Sequence, residues 1–451
     1  MNALKLKALA LVALLLLAPL HAFAQTADEA FEKGNRAYEQ EQYTDALKYY
    51  TKTIELNPQS VDAYNRRGLS KSYLDDHKGS IEDFNKAIEL NPQFYKAYGN
   101  RGKEKYILGD KTQAVQDYNK AIELSPQSAA EAYILRGRFK SESGDDAGSI
   151  QDYNKGIELN PKYFIAYCWR GFAKYNLGDK AGAIVDYTKA IELNPPTKNK
   201  SFRNKLDVVL NNNKAGTLKP ELAEAYLYRG IAKYELGDKE GAIEDCTETL
   251  KINTNDTEAY YYRGVSKCEL GDTQSAILDL STAIYLNPND ARFYNSRGVS
   301  KDELGDKEGA IEDYNKSLKL NPKNEAAYNN RGIVRSDLGD KTGAIADYTK
   351  SIQLNPDDAI AYNNRGKIKS QSYDNKGAII DCNKAIDLNP QYAIAYHNRG
   401  VAKTNLGDKR GAFADFEKAK QLYVEQGDME GYKNAIRDKN IASDLFSRKG
   451  Q

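Results

Sequence analysis

The chain has 451 residues, of which 40% are hydrophobic and 29% charged, a composition that predicts a folded protein long enough for two or three ordinary domains. Its 65 basic and 64 acidic residues leave a formal net charge of +1, which provides no long-range field to attract nucleic acid or anionic lipid. Four cysteines without CxxC or metal-like spacing argue against a disulfide scaffold or a cysteine metal site.

The first predicted element is an export signal at 1–24. Lys5 and Lys7 precede an apolar run over residues 8–20, and an Ala-Phe-Ala sequence ends at Ala24. The run is short for a transmembrane helix, and no other stretch has the length and apolarity to span a bilayer. We therefore expect cleavage and a mature chain that is periplasmic or secreted. Retention of the run as a membrane anchor is the alternative.

The rest of the sequence repeats with a period of 34 residues. Glycines recur at this spacing from Gly34 to Gly400, interrupted by one extra residue near Ala129 and by an insertion at 197–222. Eleven units begin at residues 27, 61, 95, 130, 164, 223, 257, 291, 325, 359 and 393. Units 1–5 thus occupy 25–196, units 6–11 occupy 223–426, and 427–451 is predicted to be a C-terminal capping helix.

The segment from Tyr328 to Pro356 illustrates one unit. Small and apolar residues at helical spacing predict a first helix, which Gly339 can end in the left-handed conformation. Asp340 can then cap a second helix. Asn355 precedes proline and so disfavours helical geometry, which ends that helix. Each unit is therefore predicted to be a helix, a tight turn and a second helix.

This pattern resembles the tetratricopeptide repeat when each unit is numbered with its first-helix glycine at position 8. The matching features are an aromatic residue at position 4, a small residue at 20, an aromatic residue at 24, alanine at 27 and proline at 32. Examples are Tyr64 and Tyr98 at 4, Ala46 and Ala114 at 20, Tyr118 and Tyr187 at 24, Ala87 and Ala121 at 27, and Pro58 and Pro92 at 32. The resemblance implies an all-α, right-handed solenoid (a superhelix) of helix-turn-helix units, because one helix pair cannot bury its own apolar face.

The sequence departs from the family pattern at three positions. Ten of the eleven units have Arg at position 7, ten have Lys or Arg at 11, and ten have Asp at 23, whereas unit 1 lacks all three. This joint absence favours ion pairs within a unit over pairs between neighbouring units. Partly buried pairs would define the register of the helices, whereas solvated pairs would contribute little to stability.

The resemblance places partner binding on the concave face formed by the first helices, here called the groove face, at positions 2, 5, 9, 12 and 13. In units 5 to 7 this face becomes aliphatic and aromatic, and acidic residues and asparagines follow. The predicted partner-binding residues are Ile165, Phe172, Tyr175, Leu227, Ile231, Tyr234, Tyr261, Val265, Glu269, Asp302, Asn295, Asn329 and Asn363. They would suit a peptide with apolar anchors and basic residues, and the asparagines can hydrogen-bond its backbone. The alternative is that neighbouring helices bury these groups.

The expected function is a protein-interaction scaffold or adaptor outside the cytoplasm, with a protein or peptide as partner, no nucleic acid and no cofactor. Self-assembly is the alternative, and the oligomeric state stays open. An enzyme is not expected, because the sequence has no phosphate loop, metal-ligand cluster, nucleophile elbow or histidine with a nearby nucleophile. Two structures are equally compatible with the sequence of the insertion: an extra helix that turns towards the groove face, and a loop on the surface. Cys246 and Cys268 fall on adjacent helices, in a geometry that strains a disulfide.

Overall fold

The structure, a computed structural model, describes residues 26–194 and 220–448. The predicted export signal and almost all of the predicted insertion lie outside these residues. Within them the chain forms 23 helices and no strand. None of the helices in the described part combines the length and the apolar character needed to cross a bilayer.

The helices follow one another in pairs, one pair to each unit. Units 1 to 5 consist of α1 (26–39), α2 (Tyr43–Leu56), α3 (Val61–Tyr73), α4 (His77–Leu90), α5 (Tyr95–Ile107), α6 (Lys111–Leu124), α7 (Ala130–Glu142), α8 (Asp146–Leu159), α9 (Phe164–Asn176) and α10 (Lys180–Leu193). Units 6 to 11 consist of α11 (Pro220–Glu235), α12 (Lys239–Ile252), α13 (Thr257–Glu269), α14 (Thr273–Leu286), α15 (Ala291–Glu303), α16 (Lys307–Leu320), α17 (Glu325–Asp337), α18 (Lys341–Leu354), α19 (Ala359–Gln371), α20 (Asn375–Leu388), α21 (Ala393–Leu406) and α22 (Lys409–Glu425), and α23 (Met429–Arg448) follows them.

The helix starts agree with the predicted units. Nine first helices begin at the predicted residue, and α1 is described from residue 26. The remaining one, α11, begins at Pro220, three residues before the predicted start of unit 6. Proline is favoured in the first turn of a helix, because its fixed φ suits the helix and no intrahelical partner is lost. The helical pairs therefore follow directly from the 34-residue period.

The turn inside each unit forms as the sequence predicts. Gly339 has a φ of 86°, in the left-handed region, and ends α17. Asp340 then accepts a hydrogen bond from the Gly343 backbone N–H at 2.8 Å, which caps α18. Tyr373 occupies the same turn position in unit 10 with a φ of 65°, where a non-glycine side chain is strained.

Close packing within a unit depends on a glycine facing an aromatic ring. In unit 9 a Cβ atom added to Gly332 would lie 2.8 Å from Cε1 of Tyr348, closer than non-bonded carbon atoms approach. Tyr348 is almost fully buried by this contact. The first helix therefore approaches the second closely enough to cover the tyrosine ring.

The repeating charges form ion pairs within units, as predicted. Arg331 donates to Asp347 from Nε at 2.9 Å and from Nη2 at 2.6 Å, and Arg335 adds a third bond at 2.8 Å. Nη1 of Arg331 also donates to Asn315 of the preceding unit at 2.5 Å, and its guanidinium lies over the ring of Tyr328. Equivalent pairs join Arg67 to Asp83, Arg101 to Asp117, Arg136 to Asp152, Arg170 to Asp186, Arg263 to Asp279, Arg297 to Asp313, Arg365 to Asp381 and Arg399 to Asp415.

The chain divides into two compact parts, one ending at Asp238 and including residues 251–253, the other formed by 239–250 and the chain from Thr254 onward. In the second part α23 packs on unit 11, where Tyr423 and Ala435 share a buried cluster. His397 also contacts Asp438 at 2.9 Å. This is the capping helix that the sequence predicts.

All four cysteines are free thiols. The bridge between Cys246 and Cys268, which the sequence places on adjacent helices, is therefore not formed. Cys246 is fully buried, whereas Cys268 is half-buried and donates from its thiol to Glu303 at 3.1 Å.

Candidate functional site

The groove face formed by the first helices of units 4 to 6, all in the first compact part, contains a pocket of about 240 Å³. First helices of three consecutive units form its rim, and second helices form its floor. Five aromatic side chains line it: Tyr153, Trp169, Phe172, Tyr187 and Tyr228. Such a concentration of rings on a partly exposed surface is typical of protein-interaction hot spots.

The rings hold one another in place. Phe172 meets Tyr228 edge-on, with ring centroids 5.4 Å apart, and Tyr228 stacks against Tyr187 at 6.3 Å. Phe172 keeps 36% of its surface exposed, whereas Tyr187 keeps 1%. The pocket therefore has a rigid aromatic floor and one accessible aromatic wall, which reduces the conformational entropy that a ligand would have to order.

The opposite wall is polar. The guanidinium of Arg138 lies 5.0 Å from the ring centroid of Trp169, and its Nε donates to Glu142 at 3.1 Å. Lys111 donates to the same carboxylate at 2.6 Å, as does the hydroxyl of Tyr106. Burial acts to raise the pKa of Glu142, but these hydrogen bonds and the nearby positive charges outweigh it and lower that pKa. Glu142 thus stays ionised and holds Arg138 against the indole ring.

The hydroxyl of Tyr187 is buried without a hydrogen-bond partner among the described residues. Burial raises the pKa of Tyr187, so its hydroxyl keeps its proton and can donate. Most buried polar groups in proteins are satisfied, so this one requires an explanation.

Three predicted binding residues in the first part do not form an accessible surface. Ile165, Leu227 and Ile231 are buried, and this part of the prediction is corrected. Burial of these groups is the alternative stated from the sequence, and it leaves a partner almost no apolar surface to contact at these positions. Tyr175 and Tyr234 are half-buried, and the hydroxyl of Tyr175 donates to Glu235 at 2.8 Å.

In the second part, the predicted aromatic residue of unit 7 is largely covered. The guanidinium of Arg292 lies 5.1 Å from the ring centroid of Tyr261, and Phe293 lies 5.2 Å away on another side. Glu258 pairs with Arg292 at 2.5 Å and keeps it there. Val265 is half-buried. Tyr261 therefore presents less surface than its position in the repeat predicts.

The predicted acidic residues are not isolated negative charges. Glu269 pairs with Lys239 at 2.7 Å, and Asp302 pairs with Lys307 at 3.2 Å. Lys307 also reaches Asp337 of the next unit at 2.7 Å. A basic partner segment would compete with these lysines, so the charge complementarity predicted from the sequence is weakened.

Two of the three predicted asparagines link neighbouring units. Asn295 accepts a hydrogen bond from Asn330 at 3.4 Å, and the buried Asn363 accepts one from Asn398 at 2.9 Å. The Oδ1 atom of Asn329 is buried without a partner in the part of the chain that the structure describes. Asn363 is therefore structural, and Asn329 retains an unused acceptor.

Among the aromatic and arginine side chains that line the pocket, the sequence interpretation assigned only Phe172 to partner binding. Trp169 and Tyr228 lie at position 6, which was not counted among the groove-face positions, and Arg138 lies at position 9 of unit 4, outside the units that were singled out. Trp169 is the only tryptophan of the chain. It stands where units 3, 9, 10 and 11 carry asparagine. This departure from the repeat is the feature of the sequence that could have indicated the pocket.

A second pocket, of about 320 Å³, lies on the groove face of units 2 to 4. Its lining is more polar and includes Arg66, Lys96, Asn100 and Glu131. Charges of both signs and few aromatic rings make it a weaker anchor point than the pocket of units 4 to 6. The described residues contain no group of three or more potential metal ligands.

Family models for repeats match most of the chain. A model described as TPR repeat matches residues 34–71, 141–178, 303–339 and 337–372. Two models described as tetratricopeptide repeat match 61–94 and 95–128, and 165–197, 359–392 and 393–423. The chain belongs to the tetratricopeptide-repeat family. It is an all-α tetratricopeptide solenoid, and its repeats are of a type that provides binding surfaces for proteins.

Individual relatives of this tetratricopeptide-repeat protein are distant or short matches. A segment of 48 residues is 44% identical to part of Hsp70-Hsp90 organizing protein 1 of Glycine max. The segment covers 11% of this chain and 8% of that protein. Yeast Tom70 is 16% identical over 94% of this chain and 99% of its own, with a TM-score of 0.40. A tetratricopeptide-repeat protein from Parabacteroides merdae is 20% identical over 60% of this chain and 98% of its own, with a TM-score of 0.44. The two structural matches concern the fold alone.

Proposed function

We propose that this protein is a non-enzymatic scaffold that acts outside the cytoplasm and holds a partner polypeptide on its groove face. The anchor point is the pocket of units 4 to 6. The family match supports the protein-binding role, and the lysines and apolar run at the N-terminus support export. The near-zero net charge supports a protein or peptide partner rather than a nucleic acid.

The observation that carries this proposal is the accessible aromatic wall of Phe172 over a buried aromatic floor. Aromatic and arginine side chains in a pocket contribute most of the binding energy in many interfaces. The pocket combines them, since Arg138 is held against Trp169 beside the same opening. A partner side chain inserted there would be desolvated on several sides.

The test is cross-linked capture of proteins from envelope extract of the native cell, using the full chain and a Phe172→Ala variant. The control variant is Tyr285→Ala, which removes an exposed aromatic ring from a second helix, away from the groove face. We expect one protein to be captured by the wild type and the control and lost with Phe172→Ala, while far-UV circular dichroism stays unchanged. Equal capture by all three variants would move the binding site elsewhere.

Export and self-assembly are tested separately. Cell fractionation should find the wild type in the envelope or medium with Gln25 as its first residue, and a Leu15→Arg/Leu16→Arg variant in the cytoplasm. Cytoplasmic wild type would overturn the proposed location. Light scattering measures the mass against 50.4 kDa for the full chain. A stable multimer without bound partner would favour the self-assembly alternative.

A further inference from the structure

We propose that the pocket of units 4 to 6 receives a tyrosine side chain of the partner polypeptide, whose phenolic oxygen accepts a hydrogen bond from the hydroxyl of Tyr187. This proposal rests on the proposed function, because it names the residue type by which the partner is anchored. It is carried by an unsatisfied donor, by the repeat itself and by the chemistry of the pocket walls.

The first step concerns the unsatisfied hydroxyl. Tyr187 is 1% exposed, it lines the pocket, and its hydroxyl has no hydrogen-bond partner among the described residues. A buried donor without an acceptor destabilises the protein, and a ligand that supplies the acceptor removes that penalty on binding. The described protein atoms therefore leave this hydroxyl without an acceptor, and a ligand in the pocket can supply one.

The repeat shows where this hydroxyl is directed. Tyr50 is the equivalent residue of unit 1, and its hydroxyl donates to Oδ1 of Asn35 at 2.9 Å. Asn35 lies on the groove face at position 9 of its unit, and Phe172 occupies that position in unit 5. Phenylalanine offers no acceptor, so the hydroxyl of Tyr187 is directed towards the pocket wall and finds nothing to bond.

The walls select the occupant. At about 240 Å³ the pocket is below the usual range of roughly 300–1,000 Å³ for drug-sized ligands, which suits a single side chain. Its aromatic lining favours a ring, and a lysine or arginine side chain has no acceptor to offer the hydroxyl of Tyr187. Phenylalanine has no acceptor and the indole N–H of tryptophan only donates. Of the three large aromatic side chains, tyrosine is the one whose polar atom accepts what Tyr187 offers.

Trp169 makes the proposal directly measurable, since the only tryptophan of the chain lines this pocket. Its fluorescence in the full chain is recorded during titration with a blocked pentapeptide, Gly-Ser-Tyr-Ser-Gly, and with the same peptide carrying phenylalanine. We expect saturable changes with both peptides and a Kd about fivefold lower for the tyrosine peptide, the typical effect of one neutral hydrogen bond.

Two variants isolate the hydroxyl. Tyr187→Phe should reduce the fivefold preference to about onefold, and it should fold, because Phe84 and Phe416 occupy the equivalent position in units 2 and 11. Tyr118→Phe is the matched control. Its hydroxyl is equally buried and unsatisfied within the described residues, but it does not line this pocket. The control should keep the full preference.

Equal affinity of the wild type for the two peptides, no binding of either, or a preference that survives in Tyr187→Phe would each overturn the inference. The capture experiment separates it from the proposed function. Loss of a captured partner in Phe172→Ala without any tyrosine preference would leave the scaffold role standing and remove this inference. A tyrosine preference with unchanged capture by Phe172→Ala would support the inference and overturn the proposed use of the pocket as the partner's anchor.

Discussion

Asp347 accepts two hydrogen bonds from one arginine, Arg331, across the two helices of a single unit, at 2.9 and 2.6 Å. Asp347 is 3% exposed, its two oxygens each accept one of these bonds, and Arg335 adds a third bond to Oδ2. Arg331 simultaneously reaches Asn315 of the preceding unit. The pair therefore joins two helices of one unit and two units of the array through a single guanidinium, in a geometry that defines their register.

Removing the acid of this pair should be strongly destabilising. Asp347→Ala leaves Arg331 and Arg335 close together without their carboxylate, and we expect the free energy of unfolding to fall by about 3 kcal/mol. Urea unfolding followed by circular dichroism measures the change. The exposed Asp357→Ala should alter the free energy by less than about 0.5 kcal/mol. An Asp347→Ala variant as stable as the wild type would show that these pairs are only solvated charges.

The turn of unit 10 offers a stabilising substitution. Tyr373 has a φ of 65° and is 92% exposed, so it bears left-handed strain and gains little from burial. Tyr373→Gly should raise the free energy of unfolding by about 0.5–1 kcal/mol, since relief of strain exceeds the entropy that glycine adds to the unfolded chain. The reverse change at the equivalent turn, Gly339→Tyr, should lower it by a similar amount. A thermal melt that places Tyr373→Gly below the wild type would contradict this account of the turn.

The thiols should be unreactive in the folded protein. Burial raises the pKa of Cys246 and of Cys382 to about 12 and that of Cys268 to about 11, so little thiolate exists at pH 8. Reaction with Ellman's reagent should be slow in native buffer and should report four thiols in guanidinium chloride without reductant. A count of two under those denaturing conditions would reveal a disulfide and contradict the structure.

The polar wall of the pocket should loosen in acid. The pKa of Glu142 is lowered in the folded state, so its contribution is complete above the pKa of about 4.3 in the unfolded chain. That contribution is lost as pH falls through the lower folded value. Glu142→Gln should therefore have a lower melting temperature than the wild type at pH 6 and the same melting temperature near pH 3. The free energy of unfolding at pH 6 should differ by about 1 kcal/mol or less, because the carboxylate is partly exposed.

The control for this pH series is Glu240→Gln, at an exposed position in another unit, which should melt like the wild type at both pH values. Trp169 emission reports locally, because Arg138 rests on its ring and is held there by Glu142. A melting difference that persists unchanged at pH 3 would show that Glu142 acts through packing and not through its charge.

Much of the fold was predictable because its determinants are local and recur. The left-handed glycine at 339, the capping Asp340 and the proline after Asn355 act within a few residues of their own positions, and each formed the expected turn or helix end. Even the pairing of Arg331 with Asp347 was predicted to lie within a unit, because unit 1 lacks all three charged positions together.

Only the tertiary structure decided which groove-face residues a partner can reach. Ile165 and Phe172 both occupy groove-face positions of the same helix, yet one is fully buried and the other remains accessible. Tyr228 of the next unit packs edge-on against Phe172, with ring centroids 5.4 Å apart, and still leaves 36% of Phe172 exposed. The exposure of groove-face side chains and the pairing of Lys307 with Asp337 depend on elements that lie 30 or more residues apart in the chain. The hydroxyl of Tyr187 is unsatisfied because no described element brings an acceptor to it. The repeat therefore determined the scaffold, and the contacts between its differing units determined the site.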